Sequence, residues 1–239
     1  MKKTVQFVTA YLIVLCLIVA TASLGSKTVT NMAAHAPLNN RKCVVIDAGH
    51  GGVDGGATSC TGILECHLNL EIATRLNDLL HLLGISTLMI RTDDRSVYTS
   101  GQTIAAKKVS DLKERVRVVN TANNAVLVSI HQNHFVNSQY HGAQVFYAAT
   151  DGSKELANTI QNALKTHLNK SSNRSIKKAQ NIFLLENVKC TGVLIECGFL
   201  SNPIEEAKLK SSDYQKKICC VIGSSLSTFF RTLDRVVLD

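Results

Sequence analysis

Three side chains that can bind a metal or carry a proton each follow a short apolar run. His50 stands in the glycine-rich stretch DAGHGG, His131 follows the run 125–130, and Glu196 follows the run 192–195. If each run is a strand of one largely parallel sheet, the three side chains lie at the carboxyl ends of strands, where α/β folds gather their ligands. We therefore expect them at one edge of a sheet.

Imidazole and carboxylate groups at one sheet edge suit a zinc hydrolase. Such an enzyme holds its metal with three side chains, leaves a fourth position to water, and moves the proton with a nearby carboxylate. Glu65 lies fifteen residues after His50 and opens the first predicted helix. Plainer interpretations stay open, because these residues are dispersed along the chain. His50 could simply occupy a tight turn, and His131 could be a hydrogen-bonded histidine at a strand end. Glu65 could be only a first-turn helix carboxylate, and Glu196 could pair with an arginine.

The glycines around His50 also raise the question of a phosphate loop. A Walker loop needs Gly-Lys-Ser/Thr after its turn, whereas Gly-Ala-Thr stands at 56–58. Asp54 inside the loop would repel a phosphate, so a nucleotide site is disfavoured. The preferred hypothesis is a tight turn that aims His50 at a metal, with Asp47 either orienting His50 or closing the turn.

Apolar runs alternate with segments of helical periodicity along the chain. This alternation predicts an α/β fold: a single three-layer domain with a central, twisted, largely parallel sheet of about six strands flanked by helices. Asp111 and Glu114 have the spacing of a capping box that opens a helix after a polar loop at 92–110. The expected strands are 44–47, 85–90, 125–130, 143–148, 182–185 and 192–195, and the expected helices include 68–83, 112–119, 156–168 and 218–229.

The N-terminus has the pattern of an export signal. Lys2 and Lys3 precede an apolar run at 7–20, and Ala-Thr-Ala follows at 20–22, as at a signal-peptidase site. The protein is therefore predicted to be exported across the cytoplasmic membrane. We expect a signal peptide or N-terminal membrane anchor at 1–25, a linker at 26–41 and the folded domain at 42–232.

The formal net charge of +8 suits an anionic neighbourhood such as cell-wall polymer or a membrane surface. The basic residues are spread along the chain without interleaved aromatic residues. Nucleic acid is therefore not an expected partner.

Eight cysteines are present, and Cys16 lies in the predicted export signal, which leaves an odd number. Most of the others are expected to be small buried hydrophobic residues. Cys60 and Cys66 lie near the glycine-rich stretch, which leaves a disulfide or a metal contact open.

Four motifs occur in a fixed order: VVIDAGHGGVDGGA, GILE, VSIHQN and VLIECGFLSNP. Together they resemble the zinc-dependent N-acetylmuramoyl-L-alanine amidases of bacteria, from about Lys42 to about Arg231. The short N-terminal segment and the stretch NIFLLENV are similar to the branch of endospore formers that trims spore-cortex peptidoglycan and is needed for germination.

The resemblance implies a role for each matching residue. His50, Glu65 and His131 match the zinc ligands, Glu196 matches the catalytic glutamate, and Asn133 is a candidate substrate contact. The implied reaction cleaves the amide between the lactyl group of muramic acid and the L-alanine of the stem peptide. The substrate would be the glycan-peptide of peptidoglycan, in the cell wall or the forespore intermembrane space. The N-terminal segment would contact the membrane, and an accessory lipoprotein assists some members.

Two other functions remain to be weighed. A cysteine hydrolase of cell-wall peptides would use Cys197 or Cys66, and Cys66 stands where many members have lysine. A wall-binding module with a degenerate site would need no catalytic group, whereas the four matched residues are all present.

Overall fold

Strands and helices alternate along residues 42–236, the part of the chain that the computed structural model describes. The expected signal or anchor at 1–25 and the linker at 26–41 lie outside the described residues. The strands are β1 Cys43–Ala48, β2 Ser86–Met89, β3 Ala125–Asn133, β4 Gln144–Tyr147, β5 Lys177–Lys178 and β6 Thr191–Phe199. The helices are α1 Glu65–Leu82, α2 Ile104–Thr121, α3 Ser153–His167, α4 Phe183–Asn187, α5 Pro203–Leu209 and α6 Ser212–Val236.

The six strands form one sheet in the order β2-β1-β3-β6-β4-β5. All neighbouring strands are parallel except β4 and β6, which pair antiparallel. The central strands β1 and β3 carry nearly continuous apolar runs, because both faces of a parallel sheet are covered by helices. The predicted α/β fold with a largely parallel sheet is confirmed.

Alternate residues of β1 point to opposite faces of the sheet. Val44 and Ile46 belong to one apolar cluster, which is completed by residues of α1, α3 and α6. Val45 belongs to a second cluster, which contains Val119 of α2 and Leu184 of α4. Helices thus cover both faces, and the three-layer prediction is confirmed.

Two element predictions were wrong. The run at 182–185 forms the start of helix α4 rather than a strand, because a short apolar run fits either kind of buried element. Helix α2 begins at Ile104 instead of Asp111, since the Thr103 side chain caps it by accepting a hydrogen bond from the Ala106 N–H. The predicted loop at 92–110 is therefore helical in its last part.

Asp111 has a different task from the expected cap. Its carboxylate accepts hydrogen bonds from the Val97 N–H, at 2.6 Å, and from Arg115 Nε, also at 2.6 Å. Asp111 thus ties the loop after β2 to the middle of α2.

Within residues 42–236, no helix is both long and apolar enough to cross a membrane. The cysteines in the same part of the chain are all free thiols. The disulfide left open for Cys60 and Cys66 is therefore not formed.

Candidate metal centre

Four elements bring the predicted site residues together. His50 lies in the loop after β1, Glu65 is the first residue of α1, His131 lies in β3, and Glu196 lies in β6. His131 and Glu196 were expected just after their strands but lie inside them, directly opposite each other in the β3–β6 register. The β3–β6 register shifts between His131 and Asn133, so the regular ladder ends just beyond the site.

The side chains of His50, Glu65 and His131 converge. His50 Nε2 lies 3.3 Å from Glu65 Oε2, and His131 Nδ1 lies 3.0 Å from Glu65 Oε1. One ligand atom from each residue falls within 4.8 Å of the others. The two imidazole rings stand edge to face with centroids 4.9 Å apart. This set of two nitrogens and one carboxylate can hold a metal ion.

The loop after β1 aims His50 inward. His50 adopts the left-handed region, with φ 60°, which few residues other than glycine occupy. Its carbonyl oxygen accepts a hydrogen bond from Arg115 Nη2 at 2.7 Å. Its Nδ1 pairs with Asp54 Oδ2 at 2.9 Å, which leaves Nε2 facing Glu65. Asp54 therefore orients His50.

Asp47 does not orient His50. Its carboxylate forms a buried ion pair with Arg115 and accepts a hydrogen bond from Ser129 Oγ at 2.6 Å. Burial raises the pKa of Asp47, but Arg115 and the other neighbouring donors outweigh this effect and hold the pKa below its usual range. Asp47 therefore joins β1 to α2 and to β3.

Glu65 is buried and fixed by several donors. Oε1 accepts from Asn69 Nδ2 at 3.2 Å and from the Gln132 N–H at 3.0 Å. Oε2 accepts from the Ala57 N–H at 3.0 Å. Burial raises its pKa, but hydrogen bonds with the two site histidines outweigh burial and hold the pKa well below its usual range. Glu65 is therefore an ionised carboxylate, as a metal ligand must be.

Two glycines make room for the converging side chains. A Cβ at Gly49 would collide with the imidazole ring of His131. A Cβ at Gly56, which has φ +69°, would lie 2.6 Å from Glu65 Oε2 and 2.7 Å from His50 Cδ2. The glycines of the loop thus serve the packing of the site residues.

Glu196 is a carboxylate with unused hydrogen-bonding capacity. Its Oε2 is buried and has no hydrogen-bond partner among the described residues. Burial raises its pKa to about 7, and the opposing charges of His131 and Arg174 offset that effect only in part. A carboxyl group with such a pKa can both accept and donate a proton near neutral pH.

Arg174 is the cation that flanks Glu196. Its guanidinium carbon lies 4.7 Å from the centre of the Phe199 ring, and its Nη2 donates to Gln144 Oε1 at 2.8 Å. Gln144 faces Glu196 in the β4–β6 register. The guanidinium charge lowers the pKa of Glu196, which favours its ionised form.

A family model described as N-acetylmuramoyl-L-alanine amidase matches residues 44–227, which include every residue of the candidate centre. The chain belongs to the N-acetylmuramoyl-L-alanine amidase family. One relative, the germination-specific N-acetylmuramoyl-L-alanine amidase of Bacillus subtilis, is 35% identical over 191 residues, which cover 79% of this chain and 80% of that protein.

Solved amidase structures share the fold. The CwlD amidase from Clostridioides difficile, in complex with the GerS lipoprotein, is 38% identical with a TM-score of 0.76, and the match covers 80% of this chain and 100% of that one. An N-acetylmuramoyl-L-alanine amidase from Clostridium difficile 630 is 35% identical with a TM-score of 0.70, covering 80% of this chain and 98% of that one. This chain is an amidase of the germination type.

Cysteine chemistry does not fit this amidase. Cys197 is buried, and burial raises the pKa of its thiol well above the usual range. Burial, followed by the nearby Asp94 charge, raises the pKa of Cys66 to about 11. A nucleophilic cysteine needs a thiolate without the help of a metal ion, and the raised pKa of each thiol keeps it protonated in the metal-free protein.

Sequence reasoning missed the residues that support the ligands. Asn69 lies one helical turn beyond Glu65, a spacing that could have indicated the contact. Asp54 lies four residues after His50 but was read only as a group that repels phosphate. Arg115 is distant in sequence from the loop that it holds, and no local pattern reveals it. Asn133 is the last residue of β3, and its contact with substrate stays a prediction.

Proposed function

We propose that this amidase uses zinc, held by His50, Glu65 and His131, to hydrolyse the bond between the lactyl group of muramic acid and the L-alanine of the stem peptide. The observation that carries the proposal is the convergence of two imidazoles and one carboxylate within 4.8 Å, beside a cavity that His50, His131 and Glu196 line.

The donor set fits zinc. Hydrolytic zinc sites use three nitrogen or oxygen ligands from the protein and keep one position open. Asp54 holds the outer nitrogen of His50, and such outer carboxylates fix the tautomer of metal-binding histidines. When bound, zinc supplies a Lewis acid that polarises the scissile carbonyl and lowers the pKa of water.

Glu196 carries the proton. Its free carboxylate oxygen accepts a proton from the attacking water, and the carboxyl group then donates that proton to the leaving nitrogen of L-alanine. Burial raises the pKa of Glu196 to about 7 in the metal-free protein, and a bound dication would lower it toward the ionised form that accepts the proton. Because Oε2 has no hydrogen-bond partner among the described residues, no protein contact must break first.

Two cavities offer room for an extended substrate. One of about 300 Å³ is lined by His50, His131 and Glu196, and its lining also includes Phe183 of α4. The other, of about 620 Å³, is lined by Gln144 and Arg174 among others. A glycan-peptide fits this arrangement, because its glycan and peptide arms leave the scissile amide in different directions. Asn133 is the proposed additional substrate contact.

We extend the proposal to the setting of the enzyme. The chain is exported, with a signal or membrane anchor at 1–25 and a catalytic domain at 42–232, and it acts on spore-cortex peptidoglycan. An accessory lipoprotein assists it, a proposal supported by the similarity to the CwlD amidase, whose structure is in complex with the GerS lipoprotein.

One digestion tests the reaction. Protein stripped with chelator and restored with zinc is incubated with cortex peptidoglycan, and the products are read by mass spectrometry. We expect stem peptides with free N-terminal L-alanine, and no cleavage in chelator. Glu196→Gln should bind zinc yet lose about 10²-fold or more of the rate, whereas Glu155→Gln, an exposed change on α3, should not.

Each rival has its own result. Cleavage that survives chelator would favour a cysteine hydrolase. Wall binding without peptide release under saturating zinc would favour a non-catalytic module. An undiminished rate for Glu196→Gln would overturn the proposed proton transfer.

A further inference from the structure

A second group of metal-binding side chains lies beside the first. One ligand atom from each of Cys66, His67 and Asp94 falls within 4.8 Å of the others. Cys66 and His67 belong to the first turn of α1, and Asp94 lies in the loop after β2. We propose that these three residues form a second site, separate from the catalytic centre, for a thiophilic divalent cation of the zinc class.

Asp94 is already held in a ligand position. Its Oδ1 accepts a hydrogen bond from the Gly52 N–H at 2.9 Å, which leaves Oδ2 free to face His67 Nε2 at 3.2 Å. Both side chains are about half exposed, at 44% and 48% of their surface. An ion can therefore enter from solvent, and water can complete its coordination.

Cys66 is the buried member of the group, and an ion reaches it past the exposed side chains of Asp94 and His67. Its N–H donates to the Gly55 carbonyl at 3.1 Å, and its own carbonyl accepts from Arg91 Nη2 at 2.8 Å. The backbone that carries the thiol is thus fixed at both ends. Arg91 donates its hydrogen bonds to backbone carbonyls, including those of Ala48 and Gly49, and its charge favours the anionic forms of both Cys66 and Asp94.

The ligand types select the ion. A thiolate, an imidazole and a carboxylate form a three-ligand set that zinc accepts with one position left open, whereas Mg²⁺ and Ca²⁺ prefer oxygen ligands alone. On binding, the Cys66 thiol releases its proton to solvent and a sulfur–metal bond forms, with no change of oxidation state. Two anionic ligands then face the dication.

The two sites share the start of α1 but not their ligands. Glu65 turns toward His50 and His131, while the next side chain, Cys66, meets Asp94 and His67. Glu65 and Cys66 therefore belong to different clusters, because their side chains contact different partners. The inference does not depend on the catalytic role of the first site.

Metal counting and spectroscopy test the second site. Stripped full-length protein is saturated with Zn²⁺, freed of excess ion by gel filtration, and analysed for metal. We expect about two ions per chain in the wild type and about one in Cys66→Ser. Cys220→Ser, which changes an exposed cysteine on α6, should keep both ions.

Cd²⁺ provides a readout specific to the thiol. It should produce an ultraviolet thiolate-to-metal charge-transfer band in the wild type and in His131→Ala, but not in Cys66→Ser. Asp94→Asn retains an oxygen for the Gly52 N–H and lies at the surface, so it tests the site without disturbing the core. Its Cd²⁺ affinity at this site should fall about tenfold or more.

The results separate the two sites. Loss of one ion and of the band in Cys66→Ser, with the band retained in His131→Ala, supports the second site. A single ion in the wild type without a thiolate band, or a band that persists in Cys66→Ser, overturns it. A protein that keeps the band but shows no amidase activity would count against the proposed function and not against this inference.

Discussion

Replacing Glu196 by glutamine should remove catalysis, and the stability of the metal-free variant relative to the wild type should increase as the pH rises. Burial raises the pKa of Glu196 from its ordinary 4.5 to about 7. Because the folded pKa lies above the unfolded one, the protonated carboxyl contributes stability that is fully present below pH 4.5 and is lost as the pH rises through 7. Glutamine is neutral at every pH, so the variant does not lose stability at this position as the pH rises.

The magnitude follows from the two pKa values. The rise from 4.5 to about 7, at about 1.4 kcal/mol per pH unit, corresponds to about 3 kcal/mol. The free energy of unfolding of the variant, minus that of the wild type, should grow by about this amount between pH 4.5 and about pH 8. The free-energy cost of burying the glutamine amide is independent of pH. It therefore does not contribute to the change in this stability difference between two pH values.

Urea unfolding at several pH values measures this difference. The chain has no tryptophan, so far-ultraviolet circular dichroism is the suitable signal. The protein must be kept in chelator, because a dication beside the carboxylate lowers its pKa. Glu155→Gln is the matched control and should give a difference that is flat with pH. A flat difference for Glu196→Gln as well would refute the assignment of a buried, poorly solvated carboxylate.

Three further outcomes are expected. Gly49→Ala should abolish high-affinity zinc binding in calorimetry, because its Cβ would occupy the space of the His131 ring; unchanged affinity would contradict the packing argument. Asp54→Asn should weaken zinc binding by about 10- to 100-fold, since it removes the carboxylate partner of His50; an equal affinity would show that the tautomer is fixed elsewhere. Arg174→Gln should move the acidic limb of the kcat/KM profile to higher pH, because the cation that lowers the pKa of the catalytic carboxylate is gone; an unmoved limb would contradict this.

The fold was largely predictable because the apolar patterns are strong. The β-branched run at 44–46 favours a strand, and the helical repeat through Leu68 and Ile72 favours a helix. The stretch at 182–185 was not predictable in this way, since four apolar or aromatic residues fit a helix turn or a strand equally well. The two-residue strand β5 and the seven-residue helix α5 are too short to leave a periodic pattern.

The residues of the site were predictable from the sequence, but the residues that hold them in place were not. Strand ends placed His131 and Glu196 at one sheet edge, although the direct pairing of the two residues depends on the β3–β6 register, which no local pattern encodes. The raised pKa of Glu196 results from burial by residues distant in sequence, so no local pattern predicts it. The role of Asp47 depends on Arg115, whose contacts with Asp47 and with the His50 carbonyl each span more than sixty residues.

The left-handed conformation of His50 has a thermodynamic consequence. A non-glycine residue in this conformation costs about 1–2 kcal/mol, and the buried Arg115–Asp47 pair opposes that cost by holding the loop from α2. The strained conformation of His50 is therefore formed when the protein folds, before any metal ion binds. When the metal-binding conformation is already fully populated, the observed affinity equals the intrinsic affinity, and ion exchange proceeds without rearrangement of the loop. Occupancy then follows the free ion concentration around the enzyme directly.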